Sequence, residues 1–184
     1  MTTNANTSLI VIDMQNDFLP GGSLAVPDGD AVIKPINNLI NNYENIIFTQ
    51  DWHPVDHCSF QGWPPHCIKG SYGAEICNAL DTSKSQLIVR KGFRQNIDSY
   101  SAFYEENKTP TGLVGYLKER EITEVILCGL ALDFCVGYSA LDAVKSGFNT
   151  SVILSSCRGI DINGSLNYML QKMQKNGVNL ILGI

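Results

Sequence analysis

Residues 51–67 read DWHPVDHCSFQGWPPHC, a run that holds all three histidines of the chain, His53, His57 and His66, beside Asp51, Cys58 and Cys67. Such side chains bind zinc-like ions in two ways. A structural site closes four ligands around the ion, commonly with paired cysteines, whereas a catalytic site uses histidine and carboxylate and leaves a position open. His57, Cys58, His66 and Cys67 could form the first kind, but they lack the C-x2-C spacing that marks such sites. Asp51 and His53 with a further histidine could form the second.

Three more reactive residues stand where apolar runs end. SLIVI runs into Asp13, SQLIVR into Lys91, and EVILCGLA leads toward Cys135. Singly, each has an ordinary explanation: Asp13 as a cap, Lys91 as a surface lysine, Cys135 as a small buried hydrophobe within LDFCVGYSAL. Together they supply an acid or base, a cation and a thiol. A thiol becomes a nucleophile where its thiolate is favoured, and a nearby cation and the first turn of a helix both do this. Cys135 sits near the start of its helical pattern, behind Asp133. A cysteine–histidine pair would have to borrow a histidine from the 53–66 cluster, so Asp13 is the natural proton acceptor.

The elements that must position these groups are legible as apolar, β-rich runs: residues 8–14, 45–52, 85–92, 124–131, 151–156 and 178–183. They are continuous rather than alternating, so they read as strands buried on both faces. Helical spacing appears between them at residues 29–43, 112–120, 132–147 and 164–177. Gly147 and Gly177 fall where a helix C-terminus favours a left-handed residue. Strands alternating with helices predict a mostly parallel sheet with helices on both faces. Ligands in such sheets bind outside the carboxyl ends of the strands, the edge on which the reactive residues fall. The stretches 15–28, 54–84 and 93–110 are long for connecting loops, and loops of that length usually carry function.

Composition bounds the rest. With 184 residues and 44% hydrophobic content, one domain over residues 1–184 is expected. A net charge of −5 without a basic cluster gives no footprint for nucleic acid or an anionic membrane. The polar opening MTTNANTS has no signal-peptide pattern, and no apolar run is long enough to span a bilayer. A cytoplasmic protein with a small-molecule ligand is expected, and a homo-oligomer stays open. The six cysteines, scattered through the chain, read as thiols in a reducing compartment.

VIDMQNDFLPGGSL, TQDWHP, HCSF, WPPHC, VRKG and GLALDFCV, in that order, resemble the nicotinamidases, cysteine amidohydrolases of the isochorismatase-like superfamily. The resemblance covers essentially the whole chain. Asp13, Lys91 and Cys135 are shared across the superfamily, and the DWHP and WPPHC segments narrow it to nicotinamidases. It implies a six-stranded, mostly parallel sheet in a three-layer α/β/α, Rossmann-type fold. It implies hydrolysis of nicotinamide to nicotinate and ammonia in NAD salvage, through a thioester on Cys135. It implies a triad of Asp13, Lys91 and Cys135, and a divalent metal on Asp51, His53 and His66. A cis peptide before Ala131 and an oxyanion hole from the backbone N–H groups of Ala131 and Cys135 also follow from it. Matching positions pack on the substrate ring at Phe18 and Trp63, with Leu24 and Tyr100 as further wall residues.

The residues agree with that ligand set. Asp51 and His53, two apart on an extended segment, point to one face and can share an ion, and His66 can reach it by the loop's return. Carboxylate with imidazoles suits zinc, the expected ion, and also manganese or iron. His57 stays open: in some relatives the equivalent histidine ligates, and in others water or a nearby serine, here Ser59, lies on that side. The chain departs from its relatives at Leu132 and Phe134, which reshapes the pocket. Cys128 and Cys157 read as packing, and Cys58 and Cys67 as pointing away from the metal. A related amidohydrolase acting on another small amide or carbamoyl compound, and a non-enzymatic metal-binding protein of this fold, are the alternative functions.

Overall fold

A computed structural model of the chain describes residues 5–183; Met1–Asn4 of the polar opening segment and Ile184 lie outside them. The strands are β1 (Thr7–Ile12), β2 (Asn45–Asp51), β3 (Ser85–Lys91), β4 (Glu124–Leu130), β5 (Asn149–Arg158) and β6 (Asn179–Ile181). The helices are α1 (Ile33–Asn42), α2 (Leu113–Glu119), α3 (Gly137–Lys145) and α4 (Ser165–Lys175). The strand pairings of the sheet are all parallel, in the order β3-β2-β1-β4-β5-β6. The sheet is six-stranded and wholly parallel, as expected.

Central position explains the continuous apolar runs. Every residue of β1 is buried, as are six of the seven in β2 and in β4. Burial on both faces fails for β3 and β6. β3 is an edge strand in which Gln86, Ile88 and Arg90 are exposed in alternation, and β6 is short, with Asn179 exposed. An edge strand has a neighbour on one side only, so its apolar run does not report two covered faces.

The helices bury the stripes that their spacing predicts. Ile36, Leu39 and Ile40 of α1 are buried, and α1 packs against β1 and β5. Each such side chain contributes about 1.5–3 kcal/mol on leaving water. α3 and α4 pack on one another and on β5 and β6 respectively. The helical pattern at 29–43 is a 3-10 turn, Gly29–Val32, that runs into α1. The pattern at 132–147 begins as a wide π-helical turn, Leu132–Val136, before α3. Gly147 and Gly177 follow α3 and α4 with φ of +92° and +86°.

Candidate active site

The carboxyl ends of β1, β2, β3 and β4 meet where strand order runs outward from β1 on one side and from β4 on the other. Such a switch point leaves a crevice. Asp13 leaves β1 with φ +45°, a left-handed turn that aspartate tolerates better than most residues. Asp51 and Lys91 end β2 and β3 as a registered pair. After β4 the Leu130–Ala131 peptide is cis. The N–H groups of Phe134 and Val136 then turn back onto Ala131 O at 3.0 and 3.1 Å. Ala131 and Cys135 both line one pocket.

Lys91 is fully buried at the centre. Its Nζ lies 2.8 Å from Asp13 Oδ2 and 2.5 Å from Asp51 Oδ1. It also donates to Ser99 O at 3.0 Å and approaches Cys135 Sγ at 3.5 Å. Burial opposes the ammonium, but Asp13, Asp51 and Cys135 more than offset it and hold the pKa well above the usual lysine value. Lys91 is thus a fixed positive charge.

Asp13 is the opposite case. Burial raises its pKa, Asp51 adds to the rise, and Lys91 and Thr49 only partly oppose it. Thr49 Oγ1 donates to Oδ1 at 2.5 Å and accepts the Asp13 N–H at 3.0 Å. Oδ2, although ion-paired with Lys91, has no aligned hydrogen bond, which leaves it open to a proton. Burial also raises the Cys135 thiol, against the pull of Lys91 and with the repulsion of Asp13 and Asp51. Burial therefore favours the protonated thiol. Donor atoms of Asp13, Asp51 and Cys135 all lie within 4.8 Å of one another. A carboxylate of raised pKa beside a thiol is the arrangement for proton transfer.

A second buried group, Asp51, His53 and His66, also brings its donor atoms within 4.8 Å of one another. His53 continues the line of β2: its N–H bonds to Cys67 O at 2.9 Å and it bridges to Ile68, so the loop's return brings His66 alongside. His53 Nδ1 donates to Gly92 O and His66 Nδ1 to Pro64 O, both at 2.8 Å. Each bond fixes the tautomer and leaves Nε2 with a free lone pair, the orientation that metal-binding histidines need. The two Nε2 atoms lie 3.7 and 4.0 Å from Asp51 Oδ2. Burial works against the Asp51 charge, yet Lys91, then His53 and His66, hold its pKa well below the carboxylate range. One carboxylate and two imidazoles with freed Nε2 atoms fit a divalent cation.

His57 is not in this group. Its Nε2 bonds to Ile97 O at 3.1 Å, so Nε2 carries the proton, and Nδ1 faces Ser59 Oγ at 2.7 Å. Both nitrogens are committed, and the ring stacks on His53 with centroids 4.1 Å apart. Cys58 and Cys67 belong to neither group, so the closed four-ligand arrangement is not assembled. Cys128 and Cys157 are buried in β4 and β5.

Phe18, Leu24, Trp63 and Tyr100 all line the pocket that Asp51, His53, His66 and Cys135 share. Trp63 Nε1 donates to Tyr100 Oη at 3.0 Å. Trp63 also meets Phe134 edge-on at 5.1 Å. Sequence reasoning missed several contributors. The wall includes Asp98, Ser99 and Ile160. Gln15, fully buried, donates to Asp51 O at 2.8 Å and accepts the Asp51 N–H at 2.8 Å, so it clamps that residue to the end of β1. Its signal was a polar residue two past Asp13 at a strand end. Asp17 accepts the Cys67 N–H at 2.7 Å, which ties the loop of Phe18 to that of His66.

The family profile of the Isochorismatase domain matches residues 7–182. A nicotinamidase of Acinetobacter baylyi is 47% identical over 96% of this chain and 92% of its own. The L. infantum protein PnC1, solved in complex with nicotinate, superposes with a TM-score of 0.94 at 39% identity, over 98% of this chain and 95% of that one. A pyrazinamidase of Pyrococcus horikoshii, solved in complex with zinc, gives 0.85 at 34% identity, over 96% and 98%. By profile, sequence and structure, the chain belongs to the isochorismatase family, and within it to the nicotinamidases.

Proposed function

We propose that this chain is a nicotinamidase that hydrolyses nicotinamide to nicotinate and ammonia in NAD salvage, through a thioester on Cys135. The observation that carries the reading is Lys91, whose one ammonium lies against Asp13, Asp51 and Cys135 together. It makes the acid–thiol pair and the metal-type group one site.

Asp13 Oδ2 takes the thiol proton, and the Cys135 sulfur attacks the carboxamide carbon. The carbonyl π pair moves to oxygen, which faces the backbone N–H groups of Ala131 and Cys135; one such donor is worth about 3 kcal/mol in the transition state. The proton on Asp13 passes to the amide nitrogen, the C–N bond breaks, and ammonia leaves a thioester. Water then gives a proton to Asp13 and attacks the same carbon, the C–S bond breaks, and the proton returns to sulfur as the acid leaves. Lys91 stays charged and stabilises the anionic forms of its neighbours.

Asp51, His53 and His66 would hold a divalent ion, zinc in this proposal, which when bound supplies a Lewis-acid position for the pyridine nitrogen and so orients the ring. Phe18 and Trp63 flank that ring, with Leu24 and Tyr100 completing the wall. The chain acts as one domain in the cytoplasm. The free state of all six cysteines supports that setting, and no helix among the described residues is long and apolar enough to cross a membrane.

The test is ammonia release from nicotinamide by zinc-loaded protein, with mass spectrometry of an acid-quenched reaction to catch the acyl adduct on Cys135. Wild-type turnover that Cys135→Ala abolishes is expected. An inert wild type, or a Cys135→Ala protein as fast as wild type, would overturn the reading.

A further inference from the structure

The pocket of Cys135 carries an acid that the proposed reaction leaves unused. Asp98 lines it beside Ser99 and Tyr100 and is half-buried. Its Oδ1 accepts the Ser99 N–H at 2.8 Å, and its carbonyl accepts the Glu106 N–H at 3.0 Å. Ser99 O in turn accepts from Lys91 Nζ at 3.0 Å. The carboxylate is thus held in fixed relation to the central ammonium. No lysine, arginine or histidine forms an ion pair with it among the described residues. Burial pushes the Tyr100 hydroxyl up to about 12, and Asp98 adds to that rise, so its field reaches the aromatic wall.

Hydrolysis of a primary amide turns a neutral ligand into an anionic one in the same pocket. Lys91 contributes one positive charge and a divalent ion two, against single negative charges on Asp13 and Asp51. That count leaves an excess of one positive charge, which would retain the carboxylate product. Asp98 brings the count to zero. We propose that Asp98 is a specificity-determining residue that biases the pocket toward the neutral amide and against the anionic acid, so that product leaves instead of accumulating. The inference rests on the hydrolysis of nicotinamide proposed above. Asp98 acts through its charge, without touching the reacting atoms.

Asp98→Asn keeps an acceptor for the Ser99 N–H and removes only the charge. Binding of nicotinate and of nicotinamide is measured by calorimetry on zinc-loaded Cys135→Ala protein, with and without Asp98→Asn. Nicotinate should bind about tenfold tighter to the double variant, the scale of one charge across a site of intermediate dielectric, while nicotinamide affinity is unchanged. The gain should shrink as salt is raised. In the otherwise intact enzyme, Asp98→Asn should tighten inhibition by nicotinate by the same factor. Unaltered nicotinate affinity would overturn the inference, as would loss of nicotinamide affinity, which would make Asp98 a contact of the carboxamide. Ammonia release by the wild type is measured first: its absence removes the parent reading, whereas its presence with unaltered nicotinate binding removes this inference alone.

Discussion

Adding one carbon at residue 92 should weaken the proposed metal site by displacing His53, without replacing any of its ligands. Gly92 has φ +63°, and a Cβ built there would lie 2.4 Å from His53 Cε1 and 2.7 Å from Nδ1. Ordinary contact begins near 3.4 Å, so the ring must withdraw by about 1 Å, a shift that at other sites costs on the order of 100-fold in function. Gly92 O is also the acceptor that fixes His53 Nδ1, at 2.8 Å. Loss of such a partner typically costs 10–100-fold in metal affinity, and the left-handed backbone adds about 1–2 kcal/mol of destabilisation for a residue with a Cβ. Gly92→Ala should therefore bind zinc about 10–100-fold more weakly than wild type, measured by competition with a chromophoric chelator. Its Tm should fall by roughly 2–8 °C for a chain of this size. Wild-type zinc affinity in a folded Gly92→Ala protein would refute the idea that the VRKG segment sets the His53 ring.

Other perturbations separate the roles further. Lys91→Met leaves Asp13 and Asp51 buried without their cation; breaking such a pair costs about 3–5 kcal/mol, so Tm should drop by roughly 10 °C and turnover should vanish, as thermal melts and ammonia assays would show. Thr49→Val removes the 2.5 Å bond that lowers the Asp13 pKa. The base must be unprotonated to act and activity rises as pH passes its pKa, so the acid limb of kcat/KM should move up by about one pH unit; a downward shift contradicts the assignment of Asp13 as base. His57→Gln should keep its metal, because both ring nitrogens are committed elsewhere, whereas His66→Ala should lose it. Elemental analysis of the two purified variants decides, and loss in His57→Gln would show that His57 turns to the ion.

Much of the candidate site was legible because its residues sit at strand ends, where a polar side chain after an apolar run stands at the sheet's carboxyl edge. Lys91 shows both the strength and the limit of this. Position made it a candidate, but sequence could not distinguish it from a surface lysine, since the two carboxylates that hold its charge come from β1 and β2. The same holds for His57, whose commitment depends on Ser59 and on Ile97, 40 residues away. Gln15, Thr49 and Asp98 carry no periodic signal at all, and Ile160 is one apolar residue among many. The burial assigned to β3 failed because strand order is a property of the crossovers, and an apolar run looks alike at an edge and at the centre.

The arrangement also explains why one fold edge needs so many acids around a single lysine. Asp51 spends its two oxygens differently, Oδ1 on Lys91 and Oδ2 toward the two Nε2 atoms. A cation held on the Oδ2 side would draw charge from the carboxylate and weaken its claim on Lys91. In the proposed reaction the lysine would then lean more on Asp13 and on the sulfur, which would favour the thiolate. Gln15 keeps this balance in register by binding both the N–H and the carbonyl of Asp51. The metal-type group and the acid–thiol pair share Asp51 and Lys91, so in the proposed reaction a change on either side would be felt on the other through Lys91.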